Sequence, residues 1–373
     1  MSRLYFDYNA TTPLPAAVSE ALAHALRQDW KNPSSVHQEG REARKILEAA
    51  RERIALQLGS LESEIILTSG ATEANNAVFH SVWEGRTEGR NRIVTTAVEH
   101  ESVVRPLSAL AKKGADVRFL SVNAKGELNP EELDEVLRQT LLLSVMMANN
   151  ETGILFPIKK LAEKAHAKGI LFHTDAVCAG GKIPLSFSEL GVDFLTLSGH
   201  KFYSPKGAGL LLVKEGTDFH PQILGGPQER GRRAGTENLI GTLGLAASLD
   251  FALKGIDEEN VRLFALRDRL KKGLSERIPG VVFNENGANQ LSGTLSASFP
   301  GHSGQTLLAR LDLEGVAVSY GAACSSGSLE VSRVLLAMGI PEKRAASSIR
   351  ISFGRLTTGE EVDRLLEIFR KIL

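Results

Sequence analysis

The 373-residue sequence predicts an α/β protein: a large domain built on a mainly parallel sheet, followed by a smaller carboxy-terminal α/β domain. Three observations carry this. Between about residues 60 and 215, short apolar runs alternate with amphipathic stretches, the rhythm of buried strands and the helices that cover both faces of a parallel sheet. A polar, glycine-rich stretch after Gly225, G-G-P-Q-E-R-G-R-R-A-G-T-E-N, breaks that rhythm, and a second, shorter α/β pattern begins near residue 258. The length also suits two or three domains at about 150 residues each.

In chain order, helices are expected over 16–30 and 36–58, the second with Ile46, Leu47, Ala50 and Ile54 on one side and charges on the other. Strands are expected at 64–68, 92–96, 117–122, 141–148, 170–174, 194–197 and 209–213. Helices at 71–83, 102–112, 130–138 and 158–167 lie between them, with apolar residues three and four apart. A small-residue helix starts at Leu239. The smaller unit has a charged helix over 261–277, short strands near 281–283, 294–299 and 349–353, and a last helix opened by the Thr358/Glu361 capping box.

Composition narrows the function. Apolar residues are 42% and charged residues 24%, the mixture of an ordinary globular protein, and 44 basic against 44 acidic side chains leave no net charge. That argues against a general nucleic-acid or anionic-membrane surface. The longest apolar run, 140–148, is too short to span a bilayer and is interrupted by Ser144. The opening M-S-R-L-Y-F-D-Y-N has no signal-like apolar stretch, and two cysteines cannot form a disulfide framework, so a reducing cytoplasm is the expected setting. Those cysteines and the scattered histidines make no zinc pattern, and no metal is expected.

Three segments carry candidate chemistry. In T-S-G-A-T-E, 68–73, a strand ends, Gly70 turns the chain and a helix opens with hydroxyls at its mouth. That is an anion cradle or an ordinary strand-to-helix turn. In H-T-D-A-V-C, 173–178, Asp175 ends a strand, where it serves as a helix cap, a cation ligand or the partner of a protonated ring nitrogen. In L-S-G-H-K-F-Y-S-P-K-G-A-G, 197–209, Lys201 is a surface lysine in a turn or, if buried, a nucleophile toward carbonyls. Their order shifts the balance between these readings. A phosphate cradle, then an aspartate 103 positions after Thr72, then a lysine 26 further on are the parts a pyridoxal phosphate site needs.

These residues, with Y-F-D-Y-N-A-T-T-P, N-P-S-S-V-H, T-S-G-A-T-E-A-N-N, A-V-E-H-E-S-V, N-N-E-T-G, D-A-V, S-G-H-K, R-A-G-T-E-N, G-A-A-C-S-S-G-S and S-S-I-R-I-S-F-G-R, closely resemble the cysteine desulfurases of the NifS/IscS kind in the class V aminotransferase family. The resemblance covers nearly the whole chain, and its specificity lies in the joint order of the motifs. It implies the fold type I architecture of pyridoxal-phosphate transferases. Residues 15–257 would form the cofactor-binding domain, and 1–14 with 258–373 the small domain that carries the catalytic cysteine loop.

By the same resemblance Lys201 is the Schiff-base lysine, Asp175 the partner of the pyridine nitrogen, and His100 the imidazole stacked on the ring and placed to help proton transfers. Ala71 belongs to the cofactor-binding set. Thr72, Ser198 and His200 are phosphate ligands, and Thr236 is one more, reaching across from the second subunit of a homodimer. Asn150 and Arg350 hold the carboxylate of L-cysteine. Cys324, in a setting of Gly, Ala and Ser too small to pack a structural thiol, takes the sulfur as a persulfide and passes it to an acceptor protein. Its 26-residue spacing to Arg350 resembles the group with a long mobile catalytic loop.

Two departures stand out. Cys178 occupies the position where the family has a glutamine that donates to the cofactor's phenolic oxygen. Only 23 residues follow Arg350, fewer than in the tail with which relatives dock an iron–sulfur scaffold, so delivery to such a scaffold is less secure than the chemistry. Selenocysteine lyase or cysteine/cystine elimination activity in the same family, and a weakly active partner-binding paralogue, are the competing expectations.

Overall fold

The computed structural model describes residues 3–87, 89–137, 139–285, 289–321 and 330–373. After β1 (Leu4–Tyr5) come α1 (Ala16–Gln28) and α2 (Gln38–Leu58). Helix α2 starts two residues later than expected because the ring of His37 caps it, accepting a hydrogen bond from the Gly40 amide at 3.3 Å. Leu47, Ala50 and Ile54 are buried and Ile46 half-buried. The chain then alternates β2 (Ile65–Thr68), α3 (Ala71–Glu84), β3 (Arg92–Thr96), α4 (Glu101–Ala111), β4 (Asp116–Leu120), α5 (Pro130–Val136), β5 (Thr140–Ser144), α6 (Ile158–His166), β6 (Leu171–Asp175), α7 (Phe187–Leu190), β7 (Phe194–Ser198) and β8 (Gly209–Val213).

These strands form one seven-stranded sheet in the order β2-β8-β7-β6-β5-β3-β4. It is parallel except for β8, which runs antiparallel to both β2 and β7. Because β8 reverses direction between them, β2 and β7 point the same way as the rest, and all their carboxyl ends face one edge. Every residue of β7 and β8 is buried, as expected for strands covered on both faces.

Strand β5 stops at Ser144 although the apolar run continues to Ala148. The amide of Met146 turns instead to the carboxylate of Glu99, at 2.8 Å, so residues 145–148 stay buried but leave the ladder on that side. Helix α5 ends at Val136, just before Gln139 takes a left-handed backbone, φ 58°.

Two long helices follow, α8 (Leu239–Leu253) and α9 (Ile256–Arg277). The start of α9 lies five residues before the expected one because its first turn is acidic, Asp257, Glu258 and Glu259, which suits a helix amino terminus but hides the apolar period. Among the described residues no single helix is long and apolar enough to cross a membrane.

The remaining chain gives β9 (Val282–Phe283), β10 (Thr294–Ser298), α10 (Gly304–Leu313), β11 (Val316–Ala317), α11 (Arg333–Ala337), α12 (Glu342–Ala345), β12 (Ser348–Ser352) and α13 (Gly359–Ile372). Helices α10, α11 and α12 were not expected from the sequence. The capping box of α13 forms as read: the Glu361 amide donates to Thr358 Oγ1 at 3.3 Å and the Thr358 amide to Glu361 Oε2 at 2.9 Å. Strands β12, β10 and β9 make a separate antiparallel sheet. Leu4 and Phe6 pack into the apolar cluster of this second sheet, with Phe6 edge-on to Phe353 at 5.6 Å, and β1 pairs in parallel with β11. The amino-terminal arm thus runs between the seven-stranded and three-stranded sheets.

The polar stretch after Gly225 is pinned by a buried ion pair. Arg51 meets Glu229 in two-pronged fashion at 2.8 and 3.1 Å, and Glu229 also accepts the Leu67 amide at 2.9 Å. The pair holds Glu229 and Arg230 in the left-handed region, φ 46° and 59°. Arg51→Met would strand the buried Glu229 carboxylate, and urea unfolding should show a loss of about 3–5 kcal/mol. A loss below about 1 kcal/mol would show that the carboxylate finds water or another donor.

Candidate active site

Brought to one edge by the sheet, the strand ends surround a cleft of about 530 Å³. Strand β2 delivers Ser69 to Thr72, β3 leads into His100, β6 ends in Asp175 with Cys178 just beyond, and β7 ends in Ser198 followed by His200 and Lys201. Asn150 arrives after β5 and Arg350 from β12 of the second sheet. Ala71, Thr72, His100, Asn150, Asp175, Cys178, Ser198, His200, Lys201 and Arg350, all singled out from the sequence, therefore line one cleft. Thr236 does not; it is exposed on the loop that Arg51 and Glu229 hold. Cys324 lies outside the described residues.

One end of the cleft is built for an anion. Gly70 precedes α3 with φ 153°, and no side chain caps the helix, so its first amides face the opening. A Cβ on Gly70 would meet only Ser198 Oγ, at 3.6 Å, whereas a Cβ on Gly209 would come within 2.5 Å of the Gly70 backbone. The turn is therefore pressed against β8 on one side and open on the other. Glu73, which also lines the cleft, is already engaged: Arg233 binds it at 2.8 Å and the Ser69 amide at 2.9 Å. Burial, reinforced by the charges of Lys201, Lys206 and Lys182, pushes His200 down to about 4, so its ring is neutral at pH 7.

Asp175 accepts two hydrogen bonds, from the Val177 amide at 3.0 Å and from Asn75 Nδ2 at 2.9 Å. Asn75 also donates to Ser102 Oγ at 2.9 Å, and Ser102 Oγ lies 2.8 Å from His100 Nδ1. Four residues from three elements form one chain of contacts from the carboxylate to the imidazole.

Lys201 is held by the amino-terminal arm, its Nζ donating to the carbonyls of Asn9 at 2.7 Å and Ala10 at 2.8 Å. The buried Asn9 is a hub. Its Nδ2 donates to Asn150 O and Thr294 Oγ1, its amide donates to Ser352 Oγ, and its Oδ1 accepts from Lys182 Nζ at 2.7 Å. Burial lowers Lys182 to about 8; the charges of Lys201 and Arg350 act in the same direction and Cys178 opposes them.

Arg350 is buried and already engaged. It binds Asp7 at 2.7 Å, Ser319 Oγ at 2.9 Å and the Asn150 carbonyl at 3.0 Å, while its Nε has no partner among the described residues. Asp7, Asn9, Asn75, Ser102 and Lys182 are site residues that reading the sequence missed. The first four stand in motifs quoted above, but nothing in a motif tells which partner a polar residue meets.

An anion cradle, an acceptor-only carboxylate and a lysine in one cleft match the phosphate, ring nitrogen and aldehyde of pyridoxal phosphate, so the residues fit that group. The model of the aminotransferase class V family matches residues 4–365, so the chain belongs to that family. Within it, the cysteine desulfurase IscS of Dictyoglomus turgidum is 43% identical, covering 99% of this chain and 94% of that protein. IscS of Methanosarcina thermophila is 40% identical over 99% and 92%. Among solved structures, a NifS-like protein superposes with a TM-score of 0.93 at 37% identity, covering 99% of both chains. SspA in complex with cysteine gives 0.82 at 32% identity, covering 94% of this chain and 98% of that one.

Glu99, next to His100, supplies a pH test. Burial, with Asp175 adding to it, raises its carboxyl to about 8, and its Oε2 has no partner among the described residues. Between its ordinary value and about 8 the folded chain holds a proton that the unfolded chain has lost, so stability from this group falls as pH rises. Glu99→Gln should gain on the wild type by about 1.4 kcal/mol per pH unit through that window in urea titrations. A constant difference between the two proteins from pH 5 to 8 would contradict it.

Proposed function

We propose that this chain is a pyridoxal-phosphate-dependent cysteine desulfurase: L-cysteine and the Cys324 thiol give L-alanine and a persulfide on Cys324. The observation that carries the reading is the convergence of the Gly70–Thr72 cradle, His100, Asp175 and Lys201 in one cleft. The sum balances without an outside oxidant, because the sulfur moves onto the thiol and its place on the carbon is taken by hydrogen.

When bound, pyridoxal phosphate supplies a conjugated ring that accepts electrons from the substrate carbons. The chain does the rest. The α3 amides with Thr72, Ser198 and His200 would hold the phosphate, His200 as a neutral donor, which adds no second charge to be desolvated. Asp175, fixed by two donors, presents a carboxylate to the ring nitrogen. Lys201 would hold the aldehyde carbon and move protons at its Nζ, which the Asn9 and Ala10 carbonyls orient. Arg350, with Asn150, receives the substrate carboxylate; its bonds to Asp7 and Ser319 hold the guanidinium plane in place.

A homodimer fits the exposed position of Thr236, which in this reading completes the partner's phosphate site. A sulfur-acceptor protein receives the persulfide, and the cytoplasm is the setting that keeps Cys324 reduced. The test of the main reading is anaerobic incubation of the loaded protein with L-cysteine. Alanine should form and the Cys324 peptide should gain the mass of one sulfur, while Cys324→Ala should form no alanine from cysteine. Pyruvate or free sulfide without the added mass would overturn the reading in favour of elimination.

Cys178, a weaker donor than glutamine, leaves the cofactor's phenolic oxygen less stabilised. Cys178→Gln should move the pH midpoint of the visible absorption band downward. An unchanged midpoint would show that a backbone group or water does the glutamine's work.

A further inference from the structure

The polar chain behind the cleft fixes more than position. Asn75 lies one turn into α3, the helix whose amino terminus forms the anion cradle, and it is fully buried. Its amide orientation is set by Asp175: a carboxylate accepts only, so the NH2 group and not the carbonyl must face it. Both amide hydrogens are then committed, one to Asp175 Oδ2 and one to Ser102 Oγ, each at 2.9 Å. Asn75 Oδ1 has no partner among the described residues, so the flipped amide would trade the bond to Asp175 for a repulsive contact with its carboxylate.

The consequence passes to Ser102. A hydroxyl has one hydrogen, and with its oxygen accepting from Asn75 that hydrogen points to His100 Nδ1, 2.8 Å away. The Ser102 amide donates to the same nitrogen at 3.1 Å. Two donors converge on Nδ1, which leaves no room for a proton there.

We propose that Asn75 is a positioning residue that commits His100 Nδ1 to accepting and so places the ring proton on Nε2. It rests on the reading of this cleft as the desulfurase site, and it adds a division of labour within it. His100 is a fixed hydrogen-bond donor through Nε2 in the resting enzyme. A neutral ring with Nε2–H could take a second proton only at Nδ1, where the Ser102 hydroxyl and amide stand. One asparagine thus serves both Asp175 and His100, so the groups assigned to the ring nitrogen and the ring face are set together by the phosphate-binding helix.

The test is the titration of His100 in the holoenzyme with labelled histidine, read by nitrogen-15 and carbon-13 NMR. His100→Gln assigns the signal among the nine histidines. Around His100 stand Asp175, Lys201, Cys178, His200 and Arg350 across the cleft, Glu151 behind it, and Glu99 and Glu101 beside it. All are retained in the variants, so a difference between variants reports the hydroxyl and the asparagine.

The wild type should show an unprotonated Nδ1 and a protonated Nε2 at neutral pH. Ser102→Ala removes the hydroxyl donor, and Asn75→Leu frees that hydroxyl to turn and accept. Each should raise the His100 midpoint by about one pH unit, a tenfold change in proton affinity. The double variant should move it no further than either single change, because both act through one hydrogen. A wild-type proton on Nδ1, an unmoved midpoint in Ser102→Ala, or additive shifts in the double variant would overturn the proposal. Asn75→Leu places an apolar group against Asp175; if it does not fold, Ser102→Ala alone decides. Alanine formation is measured separately. Its loss from the wild type, with the titration as described, would count against the desulfurase reading and not against the assignment of the proton.

Discussion

The structure depends on a buried asparagine that joins its seven-stranded sheet to its three-stranded one. The Asn9 side chain donates to Asn150 O beyond the end of β5 and to Thr294 Oγ1 in the small sheet and accepts from Lys182, while its backbone amide donates to Ser352 Oγ and its carbonyl accepts from Lys201. A buried amide left unsatisfied costs on the order of 1–3 kcal/mol per group, so a side chain with every donor and acceptor used can adopt one position and few others. That position determines where the Lys201 amine stands. Arg350 repeats the pattern with Asp7, so both cationic groups proposed to touch cofactor or substrate are oriented by the same short arm.

The same crowding explains the electrostatics. Lys182, Lys201, Arg350 and His200 lie close together with few acids among them, and burial drives Lys182 and His200 toward their neutral forms. The cleft is thus poised for an anionic guest, and its two nearest free-standing acids are occupied: Glu73 by Arg233 and Asp7 by Arg350. Asp175 is the carboxylate that remains at the floor of the cleft, held by two hydrogen-bond donors and paired with no arginine or lysine among the described residues.

Much of this was legible in the sequence because the local signals agreed with the global fold. Thr72, His100, Asp175 and Lys201 sit at the ends of strands whose apolar runs are plain, and a parallel sheet places such ends together. The contacts that hold these groups were not legible, because they join residues far apart in the chain: Asn9 and Lys182 are separated by 173 positions, and Asn75 and Asp175 by 100. Period and propensity carry no information about such pairs. The strand that was read too long, 141–148, failed for the same reason. Its amide ladder is diverted by Glu99, a residue from another strand's end.

The cleft is proposed to hold pyridoxal phosphate through Lys201, with the other lysines serving as supports. Reduction of the holoprotein with borohydride, digestion and mass mapping of the pyridoxyl label test it directly. A single labelled site at Lys201 is the expected result. A label on Lys182 or Lys206, or none in a protein that visibly retains the cofactor, would contradict the arrangement derived from the arm, the sheet edge and the cradle.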